Sequence, residues 1–238
     1  MKSAVILAAG IGSRLSPVTD SIPKCCVEVN NKTIIRRITD QLLSCDQHMI
    51  INIVVGHLSD KVMDEMAGYP ENVKIVENKE YRHTNNMESC RIGLAQNGII
   101  EGDSLIVNGD CVYSDRIVSL MHNTQNSTIA IDSSKFQEEN MKILNKKGRP
   151  VAISKDLLES EGAITSIDFY NFKNNDIRKL HSIMEEYFRN LNRNLWTEVA
   201  INDLLSLQNS KINTLDVTGE KWMEIDDHHD LIAARNLW

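Results

Sequence analysis

The chain has 238 residues, 42% of them hydrophobic, enough for one large α/β domain with a sizeable core, so 1–238 is expected to be a single domain. A formal net charge of -7 excludes a protein whose main partner is a nucleic-acid backbone, which needs a concentrated positive face. Five cysteines (Cys25, Cys26, Cys45, Cys90, Cys111) form no C-x-x-C pair and have no histidine at ligand spacing. That excludes a disulfide framework and a structural zinc site, and leaves reduced thiols.

The first predicted element is a buried strand in "AVILAA", an apolar run too short to cross a membrane. No membrane insertion is expected, and the cytoplasm is the expected location. Helical periodicity in "TIIRRITDQLLS" leads to a strand in "MIINIVV", a helix in "LSDKVMDEMA" and a strand in "VKIVEN". A helix in "ESCRIGLAQNG" and a strand in "SLIVNGD" complete a β-α-β series. Beyond residue 125 come shorter β-prone pieces, "STIAIDSS", "MKILN", "RPVAISK" and "AITSIDFYNF", then a helix near 176–191. A helix in "WTEVAINDLLSL", a strand in "KINTLDVT" and a last helix from "HHDLIAARNL" close the chain. The expected fold is α/β: a Rossmann-like, three-layer, mixed and mainly parallel sheet flanked by helices, with antiparallel strands added in the second half.

"LAAGIGSRLSPVTDSIPK", residues 7–24, follows the first strand. A strand running into a Gly-rich turn aims several backbone N–H groups at one point, which suits phosphate oxygens. No G-K-[ST] follows, so this is no Walker A loop, and Leu15 stands where a dinucleotide fingerprint needs glycine. Gly10, Gly12, Arg14 and Lys24, with Pro17 and Pro23 stiffening the segment, suit a polyphosphate. The competing reading is a plain turn with two solvated cations. Further on, Asp110 closes an apolar strand at the sheet edge where open α/β folds bind ligands. Glu224, Asp226, Asp227 and Asp230 crowd the start of the last helix, where capping competes with metal binding and Asp227 is the expected cap. His228 and His229 are read as solvent-facing.

The string LAAGxGxRLxPxTxxxPK, met by Leu7 to Lys24, resembles the signature of nucleotidyltransferases that join a nucleoside triphosphate to a sugar phosphate or a small phospho-alcohol. "WMEID" followed by "DL" is similar to the carboxy-terminal metal motif of the same enzymes. The resemblance implies that Leu7, Ala8, Ala9, Gly10, Gly12, Ser13 and Gly109 contact the nucleotide. Arg14 would neutralise the leaving pyrophosphate and Lys24 would meet the phosphates at the reacting centre. It further implies Mg²⁺ held by Asp110 and Asp226. "HTNNMESC" corresponds to the base-reading segment, with Asn85, Asn86 and Ser89 suited to a pyrimidine edge, a use that helix capping would share. Cys25 and Cys26, placed where relatives have apolar or small residues, are read as packing.

"EENMKILNKKGRPVAISK", "WTEVAIND" and "WMEID" resemble the small cytidylyltransferases acting on phosphocholine, 2-aminoethylphosphonate and related compounds. CTP and a small phospho- or phosphono-acceptor are then the expected substrates, with pyrophosphate released and a homodimer as an open assembly state. Lys142 and Lys155 would face the acceptor phosphate, and Trp196 and Glu198 would receive an amine by cation–π contact and charge pairing. Within the enzyme class the alternative is a sugar-1-phosphate uridylyl- or thymidylyltransferase. Outside it, the alternative is a nucleotide-sensing module, which has little use for a carboxylate pair.

Overall fold

The computed structural model describes residues 2–146, 148–207 and 211–238. Strand β1 (Lys2–Ala8) shows how the layers arise: Ala4, Ile6 and Ala8 enter one core, while Val5 and Leu7 enter the other. A strand apolar on both faces must be covered on both faces. After β1 come the short pair β2 (Glu28–Val29) and β3 (Lys32–Thr33), α1 (Ile34–Cys45), β4 (Ile50–Val55), α2 (Ser59–Glu65) and β5 (Val73–Glu77). Then follow α3 (Asn86–Ala95), β6 (Asp103–Asn108), β7 (Cys111–Tyr113) and α4 (Asp115–Asn123). The second half adds β8 (Thr128–Asp132), β9 (Lys142–Lys146), β10 (Arg149–Ser154), β11 (Ala163–Phe172), α5 (Asn174–Arg189) and α6 (Thr197–Ser206). Strands β12 (Asn213–Asp216) and β13 (Trp222–Glu224) and helix α7 (His228–Leu237) complete the order.

The main sheet runs β10-β9-β11-β6-β1-β4-β5, with β8 pairing β11 and β12 pairing β8. Its β6-β1-β4-β5 part is parallel, and β11 joins it antiparallel to β6, β8 and β9. This is the expected three-layer α/β arrangement with antiparallel additions. Helices α1, α4 and α7 supply one core, through Ile35, Ile38, Ile117, Met121 and Leu231 among others. Helices α3, α5 and α6 supply the other, through Leu94, Leu180 and Ile201 among others. Each such side chain, removed from water, contributes about 1.5–3 kcal/mol before entropy is counted. Helix α4 lies where the sequence reading names no element; Ser114 caps it by accepting from the Ile117 N–H, and Ile117, Val118 and Met121 are its buried face. Among the described residues, no helix is long and apolar enough to cross a membrane.

Strand β1 leads through α1 to β4 on one side, while β6 lies on its other side, with Leu7 opposite both Val54 and Asn108. Parallel strands whose connections leave in opposite directions open a crevice at their carboxyl ends, and the loop after β1 crosses it.

Candidate active site

A cavity of about 340 Å³ opens at these strand ends. Its wall begins with Leu7, Ala9, Gly10, Gly12, Ser13 and Arg14. Gly12 has φ +70°, and a Cβ there would sit 3.0 Å from Lys24 Cβ and 3.2 Å from Thr19 Cγ2. A side chain would be strained by the backbone and would push on the segment that carries Lys24. Lys24 opens a 3-10 turn, Lys24–Cys26, whose Cys25 and Cys26 are buried in the core. The two thiols therefore anchor the turn, and the hydrogen bond with Cys26, followed by burial, raises the Cys25 thiol well above its ordinary pKa. Packing, as expected, is their role.

Lys24 Nζ lies 2.8 Å from Asp110 Oδ2 and 2.6 Å from Asp226 Oδ1. Asp110 directly follows Gly109 at the end of β6. Asp226 arrives from the far end of the chain because β13 pairs with β7, placing Glu224 opposite Cys111, and the Ile225 N–H donates to the Asp110 carbonyl at 2.9 Å. Asp230 Oδ2 accepts from the Asp226 N–H, while Asp227 caps α7 by accepting from the His229 and Asp230 N–H groups. Asp227 is thus the cap and Asp226 faces the cavity; His228 and His229 are exposed. Arg14 bridges Asp226 and the exposed Glu139, each at 2.7 Å.

Burial opposes the Lys24 ammonium, yet Asp110 and Asp226 raise its pKa above the usual lysine value. Burial likewise opposes the Asp226 carboxylate, but Lys24 and Arg14 hold its pKa below the usual range. Glu224, not singled out as a ligand from the sequence, completes a cluster: one ligand atom each of Asp110, Glu224 and Asp226 lies within 4.8 Å of the others. Its carboxyl is pushed up to about 8 by burial and then by the Asp110 and Asp226 charges. An all-carboxylate set short of positive charge fits a hard divalent cation such as Mg²⁺.

On the opposite wall, Asn85, Asn86 and Ser89 line the cavity, and all three also serve α3 and its neighbours. Asn85 Oδ1 accepts from the Asn86 N–H, Asn86 Oδ1 accepts from the Thr197 N–H, and Ser89 Oγ accepts from Asn78 Nδ2. Asn78, Tyr81 and Thr84, absent from the sequence reading, stand beside them. A polar residue directly after β5, shortly before the "HTNN" segment, was the available signal for Asn78.

Three sequence candidates lie off the cavity wall. Lys142 does not face the cavity: it is 2% exposed, its Nζ donates to the Glu138 carbonyl at 2.6 Å, and it lies over the Phe136 ring. Ala8 points into the core instead of the cavity. Gly109 sits against β1, where a Cβ would come 2.8 Å from the Leu7 carbonyl, so close strand packing explains the glycine. Lys155, Trp196 and Glu198 do line the cavity. The cation over Trp196 is the chain's own, since Lys155 Nζ is 5.1 Å from the ring centroid. Asn108 and Asp168, also absent from the sequence reading, complete that end.

An open α/β sheet with a phosphate-type loop at its switch point and a carboxylate cluster beneath it defines the class. Residues 4–170 match the family model described as "MobA-like NTP transferase domain", and the protein belongs to that family. Nucleotidyl transfer is the chemistry of this class. The chain is 28% identical over 238 residues to the "Bifunctional protein GlmU" of Methanococcus maripaludis, covering 98% of this chain and 53% of that protein. It is 25% identical over 233 residues to a 2-aminoethylphosphonate cytidylyltransferase of Lancefieldella rimae, covering 97% of this chain and 91% of that one. The chain spans about half the length of the GlmU relatives it matches. In fold it is similar to a solved CTP:phosphocholine cytidylyltransferase from Streptococcus pneumoniae, with TM-score 0.80, 19% identity and coverage of 99% and 98% of the two chains.

Proposed function

We propose that the protein is a cytidylyltransferase that moves CMP from CTP to a small phosphorylated or phosphonate acceptor of the phosphocholine or 2-aminoethylphosphonate type, releasing pyrophosphate. The observation that carries this reading is Lys24 Nζ between Asp110 and Asp226, at 2.8 and 2.6 Å, beneath the Gly10–Arg14 loop. The relative from Lancefieldella rimae, matched over 91% of its length, supports the choice of base and acceptor.

In the proposed reaction an acceptor oxygen attacks the α-phosphorus in line, a P–O bond forms, and the bond to pyrophosphate breaks. The acceptor is already an anion, so no general base and no covalent enzyme intermediate is needed. The obstacle is repulsion between two anions, which positioned cations and amides overcome. Loop amides from Ala9 to Ser13 would hold the β- and γ-phosphates, and Arg14 would turn from Glu139 and Asp226 to the leaving pyrophosphate. Lys24 would turn to the α-phosphate. Asp110 and Asp226, with Glu224 beside them, would hold Mg²⁺; when bound, the ion supplies charge neutralisation at the phosphates. Lys155 would meet the acceptor phosphate: it lies near enough to Glu198, Glu224 and Asp226 to lower the carboxyl pKa of each, which sets it between the two ends of the cavity.

A grid of triphosphates against acceptors, read by pyrophosphate release with Mg²⁺, tests the reading. The expected result is turnover with CTP and amino-alkyl phosphates or phosphonates. Turnover confined to UTP or dTTP with sugar 1-phosphates would establish the sugar-1-phosphate alternative.

A further inference from the structure

Tyr170 is a fully buried side chain whose hydroxyl lies 2.9 Å from Glu198 Oε1 and 3.1 Å from Asp168 Oδ1. One hydroxyl carries one proton, so it serves only one of the two carboxylates at a time. Asn108 Nδ2 donates to Asp168 Oδ2 at 3.1 Å, leaving Asn108 Oδ1 buried without a hydrogen-bond partner among the described residues. The Glu198 backbone amide, the Lys155 charge and the Asn86 side chain also favour the Glu198 carboxylate, but no cation forms an ion pair with it among the described residues. Asp168 is 7% exposed and Glu198 3%, and both line the cavity. Two buried carboxyls and a buried amide oxygen thus share a few neutral donors, and the nearby cation, Lys155, sits over Trp196.

The backbone is shaped for this. Asp168 has φ +55°, and β11 slips register against β8 between Ser166 and Tyr170. A bulge with a left-handed residue re-aims a side chain. Such conformations cost free energy and persist where the site needs them.

We propose that the Asp168–Glu198 end of the cavity binds a protonated amine that bears N–H groups, and that Asp168 selects such an acceptor over one with a quaternary ammonium. The inference rests on the proposed cytidylyl transfer and narrows its acceptor class to phosphates or phosphonates of amines that carry at least one N–H. An ammonium that bears an N–H brings both a positive charge and a donor to carboxyls otherwise bonded to neutral groups; a trimethylammonium brings the charge alone. Burial, followed by the neighbouring carboxyl charges, pushes Asp168 well above the usual carboxylate range, and burial raises Glu198, in keeping with a pair short of a counter-charge.

The test compares kcat/KM for phosphoethanolamine and phosphocholine in the wild type, Asp168→Asn and Glu198→Gln, beside calorimetric binding of the same two compounds to the full chain. Asn is chosen at 168 because it tolerates left-handed backbone, and Glu198→Gln serves if Asp168→Asn fails to fold. The wild type should prefer phosphoethanolamine by about 100-fold, since a site built to bond N–H groups strongly rejects analogues lacking them. The preference should shrink toward one in the variants. N-methyl and N,N-dimethyl phosphoethanolamine separate size from bonding: the loss should fall at the third methyl. Equal use of both acceptors, a loss that grows evenly from the first methyl, or a preference that survives in the variants would overturn the inference. If neither compound yields a cytidylyl product, the proposed function fails, and binding alone then decides: a retained preference supports this site, and equal or absent binding overturns it.

Discussion

At the loop end of the cavity every carboxylate facing Arg14 or Lys24 is matched by a cation, whereas at the Tyr170 end Asp168 and Glu198 face neutral donors. The loop end pairs Asp110, Asp226 and Glu139 with Lys24 and Arg14, partners that a polyphosphate and a cation would exchange with them. The far end leaves Asp168 and Glu198 without an ion pair among the described residues, and the proposed acceptor amine would supply one. Charge pairing stabilises the protein at one end, and uncompensated burial destabilises it at the other.

The comparison breaks first at Lys24. Lys24→Met should lower turnover by about 1000-fold, the scale of losing a positioned group that meets transition-state charge. The same variant leaves Asp110 without its cation and Asp226 with Arg14 alone, so its melting temperature without divalent metal should fall below the wild type's, and Mg²⁺ should recover much of the loss. An Mg²⁺-independent melting temperature in both proteins would contradict the cluster. Next, Asp226→Asn should abolish the Mg²⁺-induced rise in melting temperature, measured by scanning calorimetry across a metal titration.

Asp168→Asn should act in the opposite sense on stability, raising it at pH 7.5 by on the order of 1 kcal/mol, about 2–4 °C in Tm. The sign follows from linkage. A carboxyl whose pKa is higher folded than unfolded binds more protons in the folded state, so stability rises as pH falls from the raised value toward the ordinary one near 4. Wild-type Tm should therefore climb over that window, and Asp168→Asn should flatten the climb. The smallest expected effect is at Asp227: removing the α7 cap by Asp227→Ala should cost about 1 kcal/mol. Turnover should change far less than in Asp226→Asn, measured by the same pyrophosphate assay.

The two ends also differ in how far they could be read from the chain. Residues 7–24 carry Gly10, Gly12, Arg14 and Lys24 in one contiguous string, and Asp110 closes a clear apolar strand, so that wall was legible. Asp226 was legible through its motif. Glu224 joined the cluster only through the pairing of β13 with β7, a contact more than 100 residues apart in sequence. Asp168 lies inside "AITSIDFYNF", where alternation signals a strand and conceals a bulge that turns one carboxyl into the cavity. Lys142 misled for the converse reason: a lysine at the start of a strand reads as solvated or ligand-facing, but its stem packs inside and its ammonium finds the Glu138 carbonyl. The sheet core followed from periodicity, while α4 escaped because its apolar face is only three residues deep.

Incubation of the full chain with CTP, Mg²⁺ and 2-aminoethylphosphonate, followed by mass spectrometry and ³¹P NMR, tests the central claim most directly. The account predicts a CMP–aminoethylphosphonate adduct and pyrophosphate in equal amounts, both reduced by about 1000-fold in Lys24→Met. An absence of adduct with the wild type, or adduct formed undiminished by Lys24→Met, would contradict it.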